Sequence, residues 1–325
     1  MEYMRTGSMT DYQHLNVEIN VPTVTVRSAL ICETATGVNV AKSVTVKAGF
    51  IFEEFTKANA ILNTASSHLS LPVITGTGFA DSLVVATAGN CTLFKVVLTG
   101  GKGAKGGAVR VDATATLNLV GVIFRNNQSP SQGGGLFVAM HGVAAVQHSL
   151  FYANVATMTY VGQSGGGAIH NRGTLVVAGS TFNQNIVRSV SSQASGGAVY
   201  NVGNATVRDC SFILNEAQGN MVGEGGALST YRKNTLLEVA GCTFSNNSAT
   251  HSGGGVFAQG FMKLTSCFFE FHSAVVGPTL RVTPDAAQPE VSDVSIHIDV
   301  LESEYAGSDG YNEFLKPDNF RTGPW

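Results

Sequence analysis

Five cysteines, eight histidines and 22 acidic residues are the groups through which this chain of 325 residues could do chemistry, and their spacing decides which of them matter. The cysteines, Cys32, Cys91, Cys210, Cys242 and Cys267, are odd in number and include no C-x-x-C pair. That pattern predicts neither a zinc site nor a disulfide framework, and an unpaired thiol leans towards a reducing compartment. His141, His148 and His170 fall at unrelated positions and are read as packed or solvated side chains rather than metal ligands. Hydrolysis or lysis of a polysaccharide needs paired carboxylates or a carboxylate-held Ca²⁺. No Asp or Glu stands between Asp112 and Asp209, and Asp209, Glu216, Glu224 and Glu238 are scattered beyond that gap. The string Gly100-Gly101-Lys102-Gly103-Ala104-Lys105-Gly106-Gly107 lacks the G-K-[S/T] ending of a phosphate loop and reads as a flexible insertion. No catalytic residue, metal or cofactor is therefore expected, and a polysaccharide-active lyase or hydrolase is kept only as an alternative.

The composition points the same way. Hydrophobic residues make up 44% of the chain and charged residues 13%, so the chain can bury enough apolar surface to fold. A net charge of −3 gives no reason to expect nucleic acid as a partner. There is no apolar run of about 18 residues, so no transmembrane segment is expected. The first twenty residues lack the apolar core of a signal peptide. Four N-x-S/T sequons, at Asn90, Asn127, Asn204 and Asn246, occur at the frequency chance allows and do not fix a compartment.

The elements that position these residues come from a repeat. A Gly-Gly-small-aliphatic motif starts at Gly106, Gly133, Gly166, Gly196, Gly225 and Gly253, at intervals of 27, 33, 30, 29 and 28 residues. Each copy is followed by F-x-x-N: Phe124–Asn127, Phe151–Asn154, Phe182–Asn185, Phe212–Asn215 and Phe244–Asn247, with Phe269–His272 as a last, altered copy. From the first Gly to the Asn position the length barely changes, whereas 5, 11, 10, 9 and 5 residues separate that Asn from the next Gly pair. A fixed segment with one variable insertion suits a solenoid coil, whose core keeps register while one edge bulges. The fixed segment alternates and is β-branched (AVRV, TLVVAGSTF, TLLEVAGCTF), which predicts strands. The fold class expected is all-β: a single-stranded right-handed parallel β-helix of about nine or ten coils. Three or four of these would be degenerate early coils built from VTV at 24–26, VNVAKSVTV at 38–46, and the runs at 70–76, 82–89 and 93–100.

Strand alternation assigns the faces. Val109, Leu136, Ile169, Val199, Leu228 and Val256 should form one inward stack and the motif phenylalanines another. Val122, Ser149, Ser180, Cys210, Cys242 and Cys267 share the parity of the phenylalanines and should form a buried column of small residues. The asparagines should form a ladder that satisfies backbone groups inside a bend. Residues of opposite parity, Arg110, Phe137, His170, Tyr200, Ser229 and Phe257, should face outward. Of these, Arg110, Phe137, His170, Tyr200 and Phe257 make an amphipathic candidate binding ridge.

The paired GGAI and F-x-x-N motifs resemble the repeats of chlamydial polymorphic membrane proteins and similar right-handed β-helix surface proteins, over about residues 106–272. The resemblance implies a surface or extracellular adhesin and no chemistry. No translocator barrel is expected within the residues after 272. The domain plan is an N-terminal cap or arm (1–20), the β-helix (21–283) and a C-terminal cap or docking tail (284–325). That tail holds nine of the 22 acidic residues together with Tyr305, Tyr311, Phe314, Phe320 and Trp325. The function expected is a non-catalytic structural or adhesive module that presents a flat strand face to a protein or glycan partner. The alternative from another class is a scaffold subunit of a larger intracellular assembly.

Overall fold

A computed structural model describes residues 71, 73–76, 81–158, 164–190, 193–231, 235–259 and 261–282, together with the backbone of strands at 17–19, 30–33, 44–46, 51–52, 290–292 and 295–297. It is an all-β parallel solenoid of about six turns. Each turn opens at its Gly-Gly pair with a three-residue entry strand, such as Ile169–Asn171, followed by a five-residue long strand, Thr174–Ala178. A corner then leads to the phenylalanine strand Thr181–Asn183, and the Asn corner to Ile186–Ser189. Equivalent strands of successive turns pair parallel and in register, for example Phe151↔Phe182 and Phe182↔Phe212. In the first regular turn the entry and long strands are fused as Val109–Val120.

The alternation predicted from sequence is the one observed. Leu175 and Val177 point inward and are buried, while Val176 and Ala178 between and after them stay partly exposed. The aliphatic stack Val109, Leu136, Ile169, Val199, Leu228 and Val256 lies in one continuous core with the six motif phenylalanines. The phenylalanine rings are 4.4–4.9 Å apart and nearly parallel along the whole stack. Each such pair adds about 0.5–1.5 kcal/mol beyond the area it buries. The asparagines form the expected ladder: Asn154 Nδ2 donates to Asn185 Oδ1 at 2.9 Å, and Asn185 Nδ2 to Asn215 Oδ1 at 3.0 Å. Each amide donates its other hydrogen to a carbonyl of the preceding turn, as Asn185 does to Phe151 at 3.0 Å. The His272 departure is absorbed without a gap, because its Nδ1 accepts the N–H of Asn247 at 3.2 Å.

Three corners of each turn take the left-handed conformation in register. One is the first Gly of the pair. The others precede the Asn (Asn126, Ala153, Gln184, Leu214, Asn246 and Phe271) and join the long and phenylalanine strands (Gly121, His148, Gly179, Asp209, Gly241 and Ser266). Gly166 needs its glycine twice over, with φ at +74° and a Cβ that would lie 2.0 Å from the Ile169 carbonyl oxygen. Gly167 is required by close approach, since a Cβ there would stand 2.1 Å from the Gly197 carbonyl oxygen of the next turn. The invariant pair of glycines is thus one backbone bend and one turn-to-turn contact.

The expectation for the early chain needs correction. Val73–Thr75, Val84–Phe94 and Val97–Thr99 stack parallel on the turns that follow, as proposed. Val44–Val46, however, pairs antiparallel with Val84–Ala86, and Leu30–Glu33 antiparallel with Asn90–Leu93. These strands therefore lie across the solenoid's first edge instead of adding coils to it, which occupies hydrogen-bonding groups that an open edge would leave free. The run at 24–26, residues 1–16 of the proposed cap, and Tyr305, Tyr311, Phe314, Phe320 and Trp325 of the tail lie outside the described residues.

Candidate functional site

The column proposed as an exposed ridge is a second ladder, and it is covered. Outward parity is correct, since Arg110, Phe137, His170, Tyr200, Ser229 and Phe257 are register partners in consecutive entry strands, none of them in the main core. Yet Phe137, His170, Tyr200 and Phe257 are only 2–3% exposed. Arg110 alone remains partly open, with its Nε donating to Asp112 Oδ1 at 2.9 Å. Over His170, Tyr200 and Tyr231 the cover comes from the variable insertion. Where that insertion is 9–11 residues long it ends in a short strand, Ser164–Gly165, Gln193–Ser195 or Val222–Glu224, and these three pair with one another. The backbone of Gly165 lies so close over Tyr200 that a Cβ there would sit 2.2 Å from its ring. The correction has a physical cause: alternation says which way a side chain points, and nothing about whether a distant loop folds back over it.

The ladder also contains a residue the repeat does not reveal. Ser229 is too short to stack between Tyr200 and Phe257, and the gap is filled by Tyr231 two residues later. Ring centroids run Phe137–His170 5.4 Å, His170–Tyr200 5.0 Å, Tyr200–Tyr231 5.6 Å and Tyr231–Phe257 5.4 Å. The matching parity of Tyr231 with Ser229 was the signal available in the sequence. Lys105 Nζ stands 5.7 Å from the Phe137 ring at one end of the ladder.

Two titratable groups sit inside this layer. His170 Nδ1 donates to the Gly165 carbonyl at 3.2 Å, which fixes its tautomer, and its Nε2 is buried without a partner. Burial drives its pKa down to about 3, so the ring is neutral and serves as an aromatic spacer. Glu224, on a covering strand, is buried and receives hydrogen bonds from Gln193 Nε2 and the Tyr231 hydroxyl. Burial raises its pKa to about 7, against the opposing pull of the Ser252 hydroxyl and the Arg281 charge. Glu224 therefore latches the covering strand to the ladder through Tyr231. From spacing alone this carboxylate reads as one of four acids at scattered corners.

The cysteines divide into two groups. Cys210, Cys242 and Cys267 are free and buried in the expected small-residue column. Cys91 is disulfide-bonded, which the spacing gave no means to foresee, and the residue facing it across the antiparallel pair is Cys32. Nothing in a separation of 59 positions announces that pairing, because it is created by the antiparallel return of the early chain. Of the sequons, Asn127 is fully buried in the asparagine ladder, whereas Asn90, Asn204 and Asn246 are exposed. Among the described residues no group of three or more His, Cys, Asp or Glu is placed to hold a metal ion, and no helix is long and apolar enough to cross a membrane.

Among the surfaces left partly open is the long-strand face. Val143–Gln147, Thr174–Ala178, Asn204–Arg208, Leu236–Ala240 and Phe261–Thr265 run side by side, and Ala145, Val176, Thr206 and Glu238 form a half-exposed row along it. No curated protein and no solved structure matches the chain significantly. Residues 241–259 match the family model of the Chlamydia polymorphic membrane protein repeat, a segment that spans one F-x-x-N corner and the next Gly-Gly-Gly-Val. The chain carries a repeat similar to those of the Chlamydia polymorphic membrane proteins, set in a parallel β-solenoid.

Proposed function

We propose that this chain is a non-catalytic, right-handed β-helix module with an adhesive or structural role, and that it presents its long-strand face to a protein or glycan partner. The observation that carries this reading is the half-exposed, in-register row Ala145, Val176, Thr206 and Glu238 on a sheet with little charge. A rigid parallel sheet offers a partner many small contacts without the entropic cost of ordering loops. The repeat match at residues 241–259 supports a surface role. The carboxylate-free stretch from Asp112 to Asp209 argues against polysaccharide cleavage along the central turns, and Glu224 is already committed to Gln193 and Tyr231.

The test is a binding screen of the purified chain on a glycan array and on extracted cell-surface proteins, followed by variants of the captured interaction. Val176→Glu and Thr206→Glu should weaken capture at least tenfold while leaving the fold intact. Capture that is indifferent to both substitutions sinks the assignment of this face. Depolymerisation of an acidic polysaccharide by the purified chain sinks the non-catalytic reading. Recovery of the chain from its source only within a large intracellular particle favours the scaffold alternative.

A further inference from the structure

We propose that Cys210, Cys242 and Cys267 form an oxidisable thiol column in which Cys242 is the shared member of a single disulfide, made with either Cys210 or Cys267. The register Phe212↔Phe244↔Phe269 places the three cysteines, each two residues before its phenylalanine, one above another in consecutive turns. Neighbouring turns of a parallel sheet lie about 4.8 Å apart. That is inside the roughly 4.4–6.8 Å Cα separation a disulfide requires, whereas twice that distance, from Cys210 to Cys267, is outside it. The column is already hydrogen-bonded from turn to turn: the N–H of Cys210 donates to Cys242 Sγ at 3.4 Å, and that of Cys242 to the Cys267 thiol.

The hydrogen bonding of this column does not require sulfur. Each thiol donates to the carbonyl two residues earlier, Cys210 to Arg208 at 3.0 Å and Cys242 to Ala240 at 3.3 Å. Ser149 and Ser180 do the same in earlier turns, at 2.9 Å to Gln147 and Ala178. Three successive cysteines add only the capacity to lose two electrons. They are buried one layer beneath the exposed corner residues Asp209, Gly241 and Ser266.

Hydrogen bonds to both neighbours push the Cys242 thiol up, and the same bonds hold Cys210 and Cys267 down against the effect of burial. An outer thiol, Cys210 or Cys267, is therefore the group that meets the oxidant. With hydrogen peroxide it becomes a sulfenic acid and one oxygen of the peroxide leaves as water. The Cys242 sulfur then attacks the sulfenic sulfur, forming the S–S bond and releasing the second water. Two thiol hydrogens are lost, the disulfide is the oxidised product and peroxide is reduced to two waters.

The experiment treats the folded chain, without reductant, with hydrogen peroxide, then denatures it in an alkylating agent and reads thiol count, intact mass and linked peptides. The thiol count should fall by two, the unalkylated mass by two hydrogens, and every linked peptide pair that is absent before oxidation should contain Cys242. Cys210→Ser and Cys267→Ser should each still lose two thiols, and Cys242→Ser none. Should Cys242→Ser not fold by circular dichroism, the Cys210→Ser/Cys267→Ser double variant supplies the same arm, again with no thiol lost. Retention of all three thiols, oxidation to isolated sulfinic or sulfonic acids, or a disulfide formed without Cys242 would each overturn the proposal.

Discussion

The solenoid carries two aromatic ladders, 12–14 residues apart along the chain in the turns that hold both, and they are held in different ways. The phenylalanine ladder repeats one residue type at one position six times, with rings 4.4–4.9 Å apart and interplanar angles of 4–7°. The outer ladder uses Phe, His, Tyr, a displaced Tyr and Phe, with rings 5.0–5.6 Å apart and tilted by 29–50°. The first is closed by the coil itself. The second is closed by strands of the variable insertion, one of them fastened by Glu224 to Tyr231. A coil needs every turn to agree before its interior can stack, so the interior is uniform. The cover can differ from turn to turn, so the layer beneath it tolerates a serine, a histidine and a titratable acid.

That contrast can be broken from either side. The largest effect is expected where the ladder depends on the backbone itself: Gly167→Ala pushes a Cβ against the Gly197 carbonyl and Phe182→Ala opens a cavity between two stacked rings. Each should cost about 3–5 kcal/mol in denaturant unfolding, the alanine in the core by loss of transfer energy and cavity formation. Asn185→Leu comes next. It strands the N–H and Nδ2 of Asn154 and the Phe151 carbonyl, for a loss of about 2–4 kcal/mol by the same assay.

The outer layer should respond to pH instead. Glu224 has its folded pKa raised from 4.5 to about 7, so the folded chain holds a proton that the unfolded chain releases. Its contribution is fully present below about pH 4.5 and is lost as pH rises through 7. Glu224→Gln should therefore gain about 2 kcal/mol relative to the parent at pH 8, after allowance for solvent screening, and nothing at pH 4, measured as the difference between denaturation curves. A pH-independent difference would mean that the latch acts by packing alone. The smallest effect is expected at a corner: Leu214 is half exposed at φ +54°, and Leu214→Gly trades left-handed strain for chain entropy, within about 0.5 kcal/mol of neutral.

The repeat made the coil readable because its constraints are local and recur. Gly166, Phe182 and Asn185 announce a bend, a stack and a ladder, and the structure holds all three where the spacing places them. Parity along the entry strand also correctly turned Phe137, His170 and Tyr200 away from the main core. What parity could not supply was the long-range return of Ser164–Gly165 and Val222–Glu224 over those rings, since an insertion's length does not say where it folds. The antiparallel placement of Leu30–Glu33 against Asn90–Leu93, and with it the bonded state of Cys91, was hidden for the same reason. Tyr231 was concealed by a two-residue shift from the position the motif marks.

The covered state of the outer ladder is tested most directly by the ring of His170 in an NMR pH titration. Burial under the 164–165 strand places its pKa at about 3, so its ring resonances should stay unchanged from pH 8 down to pH 5. Titration of that ring near the ordinary value of 6.5 would show that the ridge lies open to water and would contradict the account.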